Sequence, residues 1–375
     1  MLNLMSVSQL SNIQPNRILV ITLRFLGDTL LVTPLISSLK QAYPDAKVDV
    51  LTFKSNAAML ENNPDVNQLI TLAGKPKALD FIKSLIRLFK HYDLAISTQA
   101  GDRPTLLAAV AGKISLGFVP EESGKAWWKK LFLTDWLLLK NDCGHAVLEN
   151  LRFCERLSIR PNYKLTPPKS SEQFQLPDGL STPYVVLHII PQWRYKEWPI
   201  ENWKTVIEFL QQQGLNIVLS GSQQAKELKQ LQFLQDSLSL PVLNLAGQLS
   251  LAQLAELISH AMLFIGPDTG ITHLAAATGT KTFAVFGPTD PKKWAPWPFN
   301  FAGDIVPFSS LGTQHVDNVI LIQGQTKQSC LPCQFEGCEK HRNSYSNCLD
   351  LLTALRVIDI ICKTLPKIKK IHSTL

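Results

Sequence analysis

The segment 264–291, FIGPDTGITHLAAATGTKTFAVFGPTDP, constrains the fold of this chain more tightly than any other. An apolar run over 261–266 has the length of a strand. Pro267-Asp268-Thr269-Gly270 is turn chemistry, with Asp268 or Thr269 placed to cap a helix beginning at the turn. Residues 271–278, rich in Ala and Leu, favour helix. Gly279 stands where a left-handed residue ends a helix, and 281–287 is a second apolar run. Strand, tight loop, helix and strand together read as one unit of a parallel sheet. The free N–H groups and positive dipole end of a helix that starts at such a loop form an anion site. On geometry alone the segment is equally an ordinary αβ unit with a capped helix.

The same alternation runs along the chain. Strand patterns occupy 17–25, 47–53, 65–72 and 93–98, with helices expected over 28–43, 78–91, 104–111 and 144–157. Pro, Ser and Gly without periodicity fill 166–183, which reads as a linker. Strands at 184–189, 216–220 and 241–245 then alternate with helices at 200–213, 223–238 and 251–260, the last preceded by Ser250 as cap. The expected organisation is a loose tail over 1–16, a Rossmann-like domain over 17–165 and a second over 184–350. A terminal helix and basic tail take up 351–375. A chain of 375 residues suits two such domains.

Hydrophobic residues at 45% and charged residues at 18% exclude a disordered chain. No apolar run is long enough to cross a bilayer, and residues 1–16 have neither a basic residue nor a continuous apolar core. A cytoplasmic protein is therefore expected. The net charge of +7 is uneven: residues 1–165 hold 20 Lys and Arg against 14 Asp and Glu, and the remainder 17 against 16. This surplus suggests an anionic partner for the first half. No nucleic-acid module is recognisable, so a phosphorylated lipid or membrane surface is expected rather than nucleic acid. Within 124–140, three Trp stand among four Lys, either as an interfacial segment or as buried Trp at the edge of an element.

Three further constellations carry chemistry. Arg24-Phe25-Leu26-Gly27-Asp28-Thr29 comes after the first strand but lacks the second and third glycines of a dinucleotide fingerprint, which excludes a nicotinamide or flavin site there. Asp28 reads either as a helix cap or as a general base. His188 to Pro199, HIIPQWRYKEWP, sets Arg194 and Lys196 after a strand. These are either phosphate-binding cations or surface residues beside a helix with Trp198 in the core. Cys330, Cys333, Cys338 and Cys348 fall within nineteen residues, a spacing that suits a tetrahedral Zn or Fe site. Cys143, Cys154 and Cys362 read as ordinary buried residues.

The order D-T-G-I-T-H-L-A-A-A-x-G with F-G-P-T-D-P after it resembles the sugar-nucleotide site of glycosyltransferase family nine, the heptosyltransferases, and the resemblance extends over residues 17–350. It implies an α/β protein of GT-B fold, two Rossmann-like domains with the active site in the cleft between them. It implies inverting, metal-independent transfer of heptose from ADP-heptose to a lipopolysaccharide core acceptor, at the inner face of the inner membrane. By the same resemblance Asp28 is the base, and Arg24, Gly27 and Thr29 lie near acceptor or phosphate. Lys196, in the family's Lys-x-Trp-Pro, neutralises the leaving diphosphate with help from Arg194. Asp268, Thr269 and Gly270 lie on diphosphate and sugar, bordered by His273 and Thr289. No cofactor is expected for catalysis, and the four cysteines match a Cys-rich insertion of some members, expected to be structural. Related protein-modifying enzymes carry iron-bound cysteines, so transfer to protein hydroxyls is an alternative. Ile189-Ile190-Pro191 departs from the small residues usual in the family, and a non-catalytic sugar-nucleotide-binding protein is the other alternative.

Overall fold

The computed structural model describes residues 10, 12–121, 124–139, 144–326 and 329–365. The basic tail at 367–370, Cys143 and most of the expected N-terminal tail lie outside them. Leu10 and Pro15 are buried, so the end of that tail packs against the fold. The chain forms two compact units, residues 1–171 with Phe301–Val306 and residues 172–300 with 307–375.

The first unit is built on six parallel strands: β1 (Arg17–Thr22), β2 (Lys47–Phe53), β3 (Gln68–Leu72), β4 (Tyr92–Ser97), β5 (Gly112–Pro120) and β6 (Asp135–Leu139), in the order β3-β2-β1-β4-β5-β6. Ile18 to Thr22 of β1 are all buried, as a central strand covered on both faces requires. The order reverses between β1 and β4, which brings their C-terminal ends together. Leu23 N–H donates to Gln99 Oε1 at 3.0 Å, and Thr98 N–H to the Ile21 carbonyl at 3.1 Å. Loops at such a reversal are where ligands bind in open α/β sheets.

The single helix expected over 28–43 is two, α1 (Leu26–Leu31) and α2 (Thr33–Ala42), divided at Val32. Pro34 sits in the first turn of α2, where its missing N–H costs nothing. The remaining helices of this unit are α3 (Ala78–Leu88), α4 (Asp102–Ala111), α5 (Trp127–Phe132) and α6 (Ala146–Arg156).

The second unit holds β7 (Tyr184–His188), α7 (Ile200–Gln212), β8 (Asn216–Ser220), α8 (Ala225–Ser237), β9 (Leu243–Asn244) and α9 (Leu251–Ser259). Next come β10 (Leu263–Pro267), α10 (Gly270–Ala277), β11 (Thr282–Phe286) and α11 (Pro291–Trp294). Two strands that the sequence pattern does not announce, β12 (Gln314–Val316) and β13 (Val319–Gln323), precede α12 (Asn347–Asp350) and α13 (Ala354–Thr364). The sheet order is β12-β13-β11-β10-β7-β8-β9, with only the β12–β13 pairing antiparallel. Here the order reverses between β7 and β10, so the loops after these two strands are neighbours. Ile189 belongs to the core cluster formed by Val185, Trp203, Val206 and Phe283, and Ile190 packs against it. The two large residues that depart from the family pattern therefore fill the core.

Candidate active site

The reversal point of the second sheet gathers charge. Lys196, on a single helical turn over Arg194–Lys196, brings its ammonium to 2.5 Å from Oδ2 of Asp268, in the loop after β10. The two form a direct ion pair. Asp268 is 6% exposed. Water is therefore largely excluded from the pair, and its attraction is stronger than at a surface. The ammonium also lies 5.4 Å from the Trp193 ring centroid and 5.8 Å from that of Tyr195, and these two rings stack.

Thr269 is the N-cap of α10 and accepts from Thr272 N–H at 3.4 Å, so the expected cap is present. Thr272 in turn donates to the Pro267 carbonyl. Gly266 allows this closeness: a Cβ there would stand 2.8 Å from the Phe264 ring and 2.9 Å from Thr272 Oγ1. Gly270 opens the helix, and Gly279 ends it in the left-handed region at φ +85°. His273, one turn into α10, is buried, and its Nδ1 has no hydrogen-bond partner. Burial lowers its pKa from 6.5 to about 4; Asp268 opposes that shift and Lys196 adds to it. The imidazole is therefore neutral at neutral pH, a buried polar group facing the ion pair with unused hydrogen-bonding capacity. Thr289 is half-buried in the loop after β11, the next strand along. Arg194 is exposed, and its Nη1 donates to the Asn343 carbonyl at 3.4 Å, so its guanidinium is directed to the cysteine-rich segment.

The first sheet presents a more open edge. Asp28 lies in the first turn of α1, whose N-cap is Phe25 with no side-chain cap bond, so Asp28 is not the cap. Arg24 Nη1 lies 3.5 Å from Asp28 Oδ1, with the two side chains 47% and 16% exposed. Gly27 is half-buried beside them. Thr29 is fully buried and donates to the Phe25 carbonyl at 3.2 Å, so it holds the turn. Two residues that sequence reasoning missed shape this loop. Asn56 donates to the Arg24 carbonyl at 2.9 Å, and Gln99 receives Leu23 N–H. Only the position of Gln99 directly after a strand could have marked it.

A polar cluster at the ends of β7 and β8 was also missed. His188 Nδ1 lies 3.3 Å from Ser220 Oγ, and Glu227 accepts from Ser222 N–H at 2.9 Å. Burial lowers the pKa of His188, with Glu227 opposing.

The four cysteines line one cavity of about 50 Å³ with Pro288, Thr326 and Asn347. Cys338 Sγ accepts from Asn347 N–H at 3.4 Å, and Thr326 Oγ1 is 3.6 Å from Cys330 Sγ. Burial, reinforced by the other three thiols, pushes the Cys348 pKa up to about 12. Among the described residues, however, no three or more Cys, His, Asp or Glu stand close enough to hold a metal ion. The expected ligands are gathered but not closed. Cys154 is buried as expected, and Cys362 is half-buried.

The segment 127–130 divides between the two readings of its Trp and Lys residues. Lys129 is buried, 2.8 Å from Asp102 Oδ1, and it donates to the Ala100 carbonyl. Its charge points inward, whereas Trp127 is exposed. No helix among the described residues is long and apolar enough to cross a membrane.

Comparison with known proteins matches residues 80–302 to the model of glycosyltransferase family 9 (heptosyltransferase). The chain is 33% identical over 303 residues to lipopolysaccharide heptosyltransferase 3 of Escherichia coli, covering 75% of this chain and 88% of that protein. Its fold is similar to that of a family 9 glycosyltransferase from Veillonella parvula (TM-score 0.72, 21% identity, 93% and 97% of the two chains). It is likewise similar to the E. coli heptosyltransferase WaaC with ADP-2-deoxy-2-fluoro heptose (TM-score 0.65, 20% identity, 93% and 99%). The matched motif, the extent of the likeness and the two parallel sheets lead to one conclusion: this chain belongs to glycosyltransferase family 9 and is a glycosyltransferase of GT-B fold.

Proposed function

We propose that this chain is an inverting, metal-independent heptosyltransferase that moves heptose from ADP-heptose to a lipopolysaccharide core acceptor. The observation that carries the reading is the buried Lys196–Asp268 pair at the start of α10, beside the neutral, unpartnered His273. The α10 N-terminus and Lys196 receive the diphosphate, and His273 offers a neutral polar group to phosphate or sugar. The acceptor oxygen bonds to the anomeric carbon from the face opposite ADP. Its proton passes to Asp28, the bond from that carbon to the β-phosphate oxygen breaks, and ADP leaves with the electron pair. Lys196 stabilises the charge that develops on the leaving group, the role a metal ion plays in other phosphate chemistry. The relatives' lipopolysaccharide heptosyltransferase names support donor and acceptor class.

The test is to incubate purified protein with ADP-heptose and a panel of truncated core acceptors and to monitor ADP. Acceptor-dependent ADP release is expected. Binding of ADP-heptose without release would favour a non-catalytic sugar-nucleotide binder, and transfer only to protein hydroxyls would favour the protein-modifying alternative.

Two partners complete the proposal. Four thiols around one small cavity have the chemistry of a structural Zn or Fe site. Cys330, Cys333, Cys338 and Cys348 would hold the ion. Elemental analysis of protein purified without chelator is expected to give close to one metal per chain; metal-free protein with four titratable thiols would reject it. An anionic membrane surface suits α3 better than the segment 127–130. Leu79, Ile82 and Ile86 are 62%, 49% and 72% exposed and fall on one stripe of the helix, and Phe89, at its C-cap, is 67% exposed. Lys75, Lys77, Lys83 and Arg87 are exposed nearby, with Asp80 the one acidic residue over 75–90. Both α3 and α5 pack on α4, and α5 adds exposed Trp127, Leu131 and Phe132. A second copy of the chain docked on this face would meet the same basic flank, so an anionic lipid surface is the better complement.

A further inference from the structure

The cysteine-rich segment reaches the turn that carries Lys196 at three points. Ser346, buried, donates from Oγ to the Tyr195 carbonyl at 2.6 Å. The Arg342 guanidinium lies 4.9 Å from the Trp193 ring centroid and is held 2.9 Å from Glu336 Oε1. The Asn343 carbonyl accepts from Arg194. Further back, Gln334 N–H donates to the Pro288 carbonyl at 2.9 Å, which ties the segment to the loop after β11 as well.

The turn itself has little rigidity of its own. It is one 3₁₀ turn closed by Lys196 N–H to the Trp193 carbonyl at 3.0 Å and Glu197 N–H to the Arg194 carbonyl at 2.9 Å. Two such bonds do not fix a long cationic side chain. The Lys196 ammonium is confined by Asp268 on one side and the stacked Trp193 and Tyr195 rings on the other. Both residues are held from the cysteine-rich segment, the Trp193 ring through Arg342 and the Tyr195 backbone through Ser346.

The geometry points to Arg342 and Ser346 as positioning residues for the donor-binding Lys196; we propose that the cysteine-rich segment serves this site as a brace. The proposal rests on the reading of Lys196 as the donor cation. The brace is itself shaped next to the thiol cavity. Cys338 N–H donates to the Tyr345 carbonyl at 2.9 Å, and Cys338 Sγ accepts from Asn347, the residue after Ser346. Gly337, at φ +87°, permits the turn: a Cβ there would stand 2.7 Å from Ser344. Ser346 thus links the thiol cavity to the lysine turn through two adjacent residues.

The test uses ADP as probe and the full chain. Arg342 is exposed, so Arg342→Ala is expected to keep the parent melting temperature while weakening ADP binding about threefold, the scale of an exposed cation–ring contact. Arg342→Lys, which keeps a cation over the ring, is expected to restore it. Ser346→Ala, which strands the Tyr195 carbonyl, is expected to weaken binding about fivefold. If Lys196→Ala loses ADP affinity while Arg342→Ala and Ser346→Ala bind as the parent does, the brace is refuted and the donor reading stands. If Lys196→Ala also binds as the parent does, both fall together.

Discussion

The sheet edges of the two units treat charge in opposite ways. In the second unit the cation and carboxylate are 14% and 7% exposed and confined by aromatic rings, a capped helix and a buried His. In the first, Arg24 and Asp28 are 47% and 16% exposed, 3.5 Å apart, on a short helix without a side-chain cap. A buried pair is expensive to separate, so under the proposed function it suits a ligand that replaces one partner in a fixed way, as a diphosphate would at Lys196. A carboxylate partly open to solvent suits a group that must gain and lose a proton and meet acceptors of varied shape. On the proposed function, the contrast is a division of labour: donor binding in the second unit, proton movement in the first.

The sharpest way to break that comparison is Asp28→Asn. Turnover is expected to fall at least ~10²-fold, the lower range for loss of a general base, in an assay of acceptor-dependent ADP release. Full turnover would leave Asp28 a structural residue. Lys196→Ala is next: about tenfold weaker ADP binding by calorimetry, because a charge-assisted contact to phosphate is lost. The asymmetry of the first unit can be tested away from both sites. Replacing Ile82 and Ile86 by Glu is expected to lower affinity for anionic vesicles about tenfold, with parent affinity for ADP. Vesicle binding equal to the parent would remove α3 as the contact.

A further effect concerns the pH dependence of stability. The folded pKa of His273, about 4, lies below its ordinary 6.5, so the unfolded chain takes up the proton first. Its contribution is complete above pH 6.5 and is lost as pH falls toward about 4. Melting temperatures of His273→Asn across this window are expected to fall less steeply than those of the parent. Parallel curves would show that the imidazole is not held neutral.

The segment around α10 was legible because each signal was local: a turn, a hydroxyl cap, a run of Ala, a closing Gly. Thr269 and Gly279 do what their chemistry indicates. Asp28 was legible as a residue of the turn but not as a non-cap, since Phe25 takes the N-cap place. Pro34 lies in the first turn of α2, but apolar residues continue on both sides of Val32 and give the break there no signal in the sequence. The strands β5 and β6 are not announced by pattern: β6 lies within 124–140, where Trp and Lys leave an interfacial segment and the edge of an element both open. Pairings distant in sequence carried no signal at all: Lys129 with Asp102, Arg342 over Trp193 and Ser346 on Tyr195 depend on tertiary packing.

The division of labour is tested most directly by titrating ADP, in one calorimetric series, into the parent, Asp28→Asn and Lys196→Ala proteins. The account predicts that Asp28→Asn binds ADP as the parent does and that Lys196→Ala binds it about tenfold more weakly. An Asp28→Asn protein that loses as much ADP affinity as Lys196→Ala would contradict it.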